Sequence, residues 1–164
     1  MKNQTKIFYD KEGDLWFERN YKKFEKPQKD LIIKILEKMK NKKNKILDIG
    51  CSNGWRLNIL NKKGHLCYGI DVSKKAIKEG SKNYPYLDLK RASVSKIPFE
   101  DEMFDVIIIS FVLHWVDRKD LFESFKEINR VLKEDGLLII SDFFSKEKFE
   151  SKISTPFGWR SLYI

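Results

Sequence analysis

The residues best suited to chemistry in this chain gather around two short turns. The first is Asp48-Ile49-Gly50-Cys51-Ser52-Asn53-Gly54. Glycine lets a backbone approach a ligand with no Cβ in the way. A helix opening beyond Gly54 would also present unsatisfied N–H groups. The second turn is Ile70-Asp71-Val72-Ser73, with Asp71 twenty-one positions after Gly50. A carboxylate so placed, at the end of a second strand, can accept both hydroxyls of a ribose. Asp48 makes the first turn acidic, which disfavours a pyrophosphate and suits a cationic or amine-bearing ligand. The dinucleotide pattern G-x-G-x-x-G fails at Ser52 and Trp55, and no Walker pattern occurs.

Alternating elements must hold these turns. Lys45–Ile49 reads as a short buried strand, followed by a helix through Trp55, Leu57, Ile59 and Leu60 that Gly64 closes. Leu66–Ile70 is a second strand ending at Asp71, and Ser73 is placed to cap a helix over 74–82. A weaker third strand lies near 87–93. Residues 104–112, FDVIIISFV, give the clearest strand, a β-branched run suited to burial on both faces. Helical spacing over 119–133 is expected to end at Gly136, with a fifth strand over 137–141. Upstream, Leu31, Ile32, Ile35, Leu36 and Met39 mark one face of a helix over 27–40, with Pro27 near its start. Strands alternating with helices predict an α/β fold, a doubly wound and mostly parallel sheet covered on both faces.

Composition narrows the function classes. The chain has 164 residues, a size suited to one domain, and a net charge of +9. Two stretches hold the excess charge, a lysine-rich one over 22–45 and a second over 74–91. Lys outnumbers Arg 27 to 6. Because Arg is the preferred residue for phosphate recognition, the charge reads as a composition bias and nucleic acid is not an expected partner. No apolar run approaches the ~18 residues of a membrane span, and Met1–Tyr9 lacks a signal-type apolar stretch. Cys51 and Cys67 are the only cysteines, with no CxxC, and His65 and His114 are the only histidines. No metal site is expected, and a reducing cytoplasm is the expected location.

Four segments in order carry a family resemblance. ILDIGCSNG resembles the first motif of class I S-adenosylmethionine-dependent methyltransferases, and GIDVS its acidic motif after the second strand. KIPFEDEMFDVIIISFVLHWV is similar to the stretch through the fourth strand. EINRVLKEDGLLIISDF is similar to the segment entering the fifth. The resemblance covers about residues 30–145. It implies a Rossmann-like sheet of order 3-2-1-4-5, with S-adenosyl-L-methionine as cofactor and S-adenosyl-L-homocysteine as product.

Residue by residue, the resemblance implies that Gly50, Cys51 and Gly54 line the methionine part, with Asp48 near its ammonium and Ser52 among the cofactor-binding residues. Asp71 takes the ribose and Val72 packs on the adenine. Ser93 stands where the family often has an Asp for the adenine amino group, with Val94 beside it. Ser52 replaces a frequent Gly and is expected to keep an ordinary backbone angle. Ser110, Phe111, His114 and Trp115 wall the cofactor near the acceptor. His114 is a candidate general base or orienting donor, set against a role as pocket wall alone.

Residues 1–26 are expected to form a lid or acceptor segment, 27–145 the cofactor-binding core, and 146–164 an aromatic tail. The run Glu12-Gly13-Asp14-Leu15-Trp16-Phe17-Glu18-Arg19-Asn20 is similar to the entry segment of bacterial methyltransferases associated with surface-sugar biosynthesis. That similarity implies a lid bearing Trp16, Arg19 and Asn20. The other reading of the run is an amphipathic helix with Leu15, Trp16 and Tyr21 packed down. A small-molecule acceptor, a sugar or glycan precursor first, is expected, with RNA or protein as the alternative. A non-catalytic member of the fold is a further alternative. A nicotinamide oxidoreductase fits less well, since the Tyr86-x-x-x-Lys90 pair lies near the third strand. The sheet's last strands are expected to be shortened or missing. The tail residues Phe143, Phe144, Phe149, Phe157, Trp159 and Tyr163 would then cover an open edge, wall the acceptor site or form a homodimer interface.

Overall fold

The computed structural model of the protein describes residues 3–22, 30–38, 43–143, 150–151 and 162–163. An N-terminal helical segment comprises α1 (Gln4–Ile7), a π-helical turn (Phe8–Glu12) and α2 (Gly13–Asn20). After it come α3 (Leu31–Lys38), β1 (Lys45–Ile49), α4 (Trp55–Lys62) and β2 (Leu66–Asp71). Then follow α5 (Lys74–Asn83), β3 (Asp88–Arg91), β4 (Phe104–Ser110), α6 (Arg118–Val131) and β5 (Leu132–Ser141). The five strands pair in parallel in the order β3-β2-β1-β4-β5. That is the expected α/β architecture. Strand order reverses between β1 and β4, and their carboxyl ends flank the crevice where such sheets bind ligands.

The two-residue period of the strands sorts the core into two layers. Leu47, Ile49, Ile107 and Ile109 face α6, packing with Ile128 and Val131. Ile46, Val106 and Ile108 face the other side, with Ile32, Ile33 and Leu36 of α3 and Leu57 and Leu60 of α4. Each such side chain, fully buried, contributes about 1.5–3 kcal/mol. The sheet is thus a firm base for the loops at its carboxyl edge. Asp48 shares the face of Ile46, so its carboxylate enters the α3–α4 layer and not the crevice centre.

One buried stripe and one element boundary differ from expectation. On α3 the buried stripe is Ile32, Ile33 and Leu36, while Leu31 and Ile35 are exposed. Pro27 and Met39 lie outside the described residues. Helix α6 stops at Val131, and Leu132 already has extended dihedrals. Leu132 pairs opposite Phe104, and Leu137 opposite Val106, so the intervening residues bulge from the strand. Gly136 lies in that bulge because a Cβ there would stand 2.5 Å from Leu132 Cδ1. It permits a close approach and does not end the helix. Ser73 caps α5 as expected, its side chain accepting from the Ala76 amide. Near the C-terminus, Glu150–Ser151 and Leu162–Tyr163 form an antiparallel ladder separate from the main sheet. Phe144, Phe149, Phe157 and Trp159 lie outside the described residues. Among the described residues no helix is long and apolar enough to cross a membrane.

Candidate functional site

The turn after β1 is shaped by left-handed residues. Gly50 and Gly54 have φ of 78° and 77°. The amides of Gly50 and Cys51 both donate to the Ile70 carbonyl, at 2.8 and 3.1 Å, which ties the turn to the end of β2. A Cβ at Gly50 would lie 2.2 Å from Val112 Cγ2, so only glycine fits. Ser52 departs from expectation, with a φ of 53°. That angle is strained for a residue with a Cβ, and it aims the Ser52 amide at Asp71 Oδ2, 2.8 Å away. The Ser73 amide meets the other oxygen at 2.8 Å. Burial pushes the Asp71 carboxyl up to about 6 against the pull of these two amides, and the charges of Asp48 and Asp14 push the same way. Cys51 is buried and its thiol is held well above the ordinary range by that burial, so it lines the turn as a neutral group.

Asp48 has a partner that sequence reasoning missed. Arg56 Nη1 donates to Asp48 Oδ2 at 2.8 Å and Arg56 Nε to Asp30 Oδ2 at 2.8 Å. Asp30 Oδ1 in turn accepts from the amides of Ile32 and Ile33, capping α3. Burial pushes the Asp48 carboxyl up, and Arg56 opposes it. One signal was present: Arg56 is a cation in the first turn of a helix, where the dipole disfavours it unless carboxylates compensate. Asp48 Oδ1 is left with no partner, as are Ser52 Oγ and Asn53 Oδ1, all buried. An unsatisfied buried polar group costs about 1–3 kcal/mol. The two on the turn itself, Ser52 Oγ and Asn53 Oδ1, mark a place for a ligand rich in hydrogen-bond donors. An ammonium and ribose hydroxyls are donors of that kind, so the residues fit the cofactor the resemblance implies.

The end of β4 supplies the opposite wall. Ser110 pairs with Ser141 of β5. Phe111 has a φ of 56° and donates its amide to the Ser141 carbonyl at 2.7 Å. Its exposed ring lies 5.0 Å from that of Phe143. His114 Nδ1 is 2.7 Å from Asp142 Oδ1, and the Leu113 amide donates to Asp142 Oδ2 at 3.0 Å. Burial pushes Asp142 up, but these bonds and one from the Phe143 amide outweigh it and hold the carboxyl below its ordinary range. Asp142 was not foreseen as a site residue, because only the pairing of β4 with β5 brings it beside His114. After β3, the Ser93 hydroxyl is engaged with Ser95 Oγ at 2.9 Å. The Val94 side chain is packed into the core, so only its backbone is available to a ligand.

The N-terminal segment straps across the crevice. At one lip the Gln4 amide donates to Asp117 Oδ2, Gln4 Nε2 to the His114 carbonyl and the Asp117 amide to Thr5 Oγ1. Phe8 stacks on Trp115 with centroids 4.6 Å apart. At the other lip Asp14 Oδ1 accepts from Ser73 Oγ at 2.7 Å and from the Lys75 amide at 2.9 Å. Gly13 lies on Val72, so closely that a Cβ would stand 2.9 Å from Val72 Cγ2. Arg91 Nη2 donates to the Tyr9 carbonyl at 2.6 Å. Of the residues expected on a lid, Arg19 is exposed and pairs with Glu12, and the Asn20 amide donates to the Trp16 carbonyl. Phe17, not Trp16 or Leu15, is the side chain buried in α2. Tyr21 of the same run donates its hydroxyl to Glu79 Oε1 at 3.2 Å.

A family model for a methyltransferase domain matches residues 47–140. Over 110 residues the chain is 31% identical to the human mitochondrial arginine-hydroxylase NDUFAF5, covering 66% of this chain and 31% of that protein. Over 99 residues it is 32% identical to a demethylmenaquinone methyltransferase of Streptomyces avermitilis, covering 60% of this chain and 42% of that one. A TehB-like S-adenosylmethionine-dependent methyltransferase from Corynebacterium glutamicum superposes with a TM-score of 0.68 at 21% identity, covering 79% of this chain and 72% of that one. The chain spans about a third to a half of the length of the curated relatives it matches. The matched residues run from β1 and its strained turn through β5, and by that match the chain belongs to the methyltransferase-domain family.

Proposed function

We propose that this chain binds S-adenosylmethionine at the carboxyl ends of β1, β2 and β4 and serves methyl transfer to a small-molecule acceptor. The observation that carries the reading is the turn after β1, with Ser52 Oγ and Asn53 Oδ1 buried and unpartnered and the Ser52 amide on the Asp71 carboxylate. The cofactor, when bound, supplies an electrophilic methyl on a sulfonium. Asp71 accepts the ribose hydroxyls, while Gly50, Cys51 and Gly54 line the methionine part. Val72, Ser93 and the Val94 backbone border the adenine. Phe111 and Trp115 exclude water from the reacting side. His114, with Nδ1–H donating to Asp142, keeps its Nε2 lone pair for the proton of a protic acceptor. Holding the reactants in line supplies much of the rate without further groups.

The strap favours a small acceptor, because it closes the crevice from Asp117 to Ser73 and leaves a polymer little access. The names of the two relatives give no support to a sugar acceptor. The cytoplasmic reading rests on two free and buried cysteines, Cys51 and Cys67. The test is incubation with methyl-labelled cofactor and, separately, small-molecule, RNA and protein fractions of a cell extract. Label in the small-molecule fraction is expected, and label in RNA or protein overturns the acceptor class.

A further inference from the structure

Among the described residues, Glu12 is the fourth buried side chain with an unpartnered oxygen, and the one of these four that lies away from β1 and the turn after it. It is 0% exposed, and the other buried residues of the N-terminal helical segment, Gly13 and Phe17, are uncharged. One oxygen pairs with Arg19, and Oε2 has no partner. Its position in the strap is fixed from both sides. Phe8, one turn before it, is stacked on Trp115 beyond β4, and Gly13, next to it, lies on Val72 beyond β2. Glu12 is therefore held over the gap between the two lips of the crevice.

The backbone adds a second observation. Phe8–Glu12 is a π-helical turn, closed by the Gly13 amide on the Phe8 carbonyl. Such turns are rare and frequent at functional sites, because the extra residue rotates the following side chain to a new direction. Here the wide turn sets Phe8 against Trp115 and, one turn on, brings Gly13 down onto Val72, with Glu12 buried between them. A carboxylate is costly to bury without full pairing. A strap that served only to cover the crevice would place an apolar residue here.

We infer that Glu12 is a cofactor-binding carboxylate, delivered by the π-helical turn, whose Oε2 accepts a hydrogen bond from a protic group of S-adenosylmethionine. The inference rests on the cofactor reading proposed above. Two donors on that ligand share the chemistry, the ribose hydroxyls and the α-ammonium. Arg19 is a positioning residue, since it holds the other oxygen and leaves Oε2 for the ligand.

The experiment is calorimetric titration of the wild-type chain, E12Q and E12L with S-adenosylhomocysteine, S-adenosylmethionine and 5′-methylthioadenosine, with melting curves of each unliganded protein. E12L is expected to weaken S-adenosylhomocysteine at least tenfold. E12Q, whose amide keeps one acceptor oxygen, is expected to weaken it less. The unliganded Tm of E12L is expected at or above wild type, because a buried group short of a partner is gone. Methylthioadenosine lacks the amino-acid tail. A loss shared by all three ligands places Glu12 on the ribose, and a loss that spares methylthioadenosine places it on the ammonium. Unchanged affinities in both variants, with or without a fall in Tm, make Glu12 structural and overturn the inference while the cofactor reading stands. A wild-type chain that binds none of the three ligands overturns both.

Discussion

The two ends of the sheet treat polar groups in opposite ways. At the amino end they are spent on one another. The Lys45 amide donates to Asp105 Oδ2 and Lys133 Nζ to Asp105 Oδ1, each at 2.7 Å. Arg130 gathers the loop that leads into β4, donating to the carbonyls of Ile97 and Phe99, to Asp101 and to Glu127. At the carboxyl end, Asp48, Ser52 and Asn53 each keep a buried atom unpartnered, and Ser52 and Phe111 hold strained angles. Both ends are built on the same strands. One end is finished by the protein, and the other has the features of a site that a ligand completes, which is where strain is expected to be stored.

Substitutions at the two ends should therefore separate binding from stability. The largest effect is expected from D71A, which removes the carboxylate proposed to accept two hydroxyls. Hydrogen bonds to charged groups contribute about 1.5–3 kcal/mol each, so calorimetry should show S-adenosylhomocysteine weakened roughly 100-fold. R130A should do the reverse. Loss of its network should cost about 2 kcal/mol, seen as a Tm lower by roughly 4–8 °C, with cofactor affinity unchanged.

Acid should act next in size. Below about pH 6 Asp71 becomes protonated and loses an acceptor. Affinity should fall by about tenfold from pH 7 to pH 5, while D71N should show a flat profile. The same group acts on the unliganded fold with the opposite sign. Its folded pKa lies above its unfolded value, so its protonation favours the fold as pH falls through 6. The smallest effect is expected from D105A at the amino end, about 1 kcal/mol in stability and none in affinity.

Much of this contrast was legible in the sequence. The β-branched run over 106–109 specified a strand buried on both faces, and Gly50 and Gly54 marked the tight turn that follows β1. Ser73 specified a helix cap. What stayed hidden depends on partners distant in sequence. The left-handed angle of Ser52 is set by the Asp71 carboxylate that receives its amide. The occupation of Asp48 requires Arg56 and Asp30, which meet only when α3 and α4 pack on one face. Asp142 joins His114 through the register of β4 and β5. The early end of α6 follows from Leu132 pairing with Phe104, a tertiary contact that overrides helical spacing. Docking of the N-terminal segment uses Phe8, Gly13 and Asp14, whose roles depend on where Trp115, Val72 and Ser73 lie.

The most direct measurement is titration of the wild-type chain with S-adenosylhomocysteine, followed by calorimetry and by thermal melting. The account predicts one saturable site per chain. It also predicts a stabilisation of about 2.7 kcal/mol at 100 times the dissociation constant, a shift of several degrees for a chain of this length. Absence of binding heat together with an unmoved melting curve at millimolar ligand would contradict it.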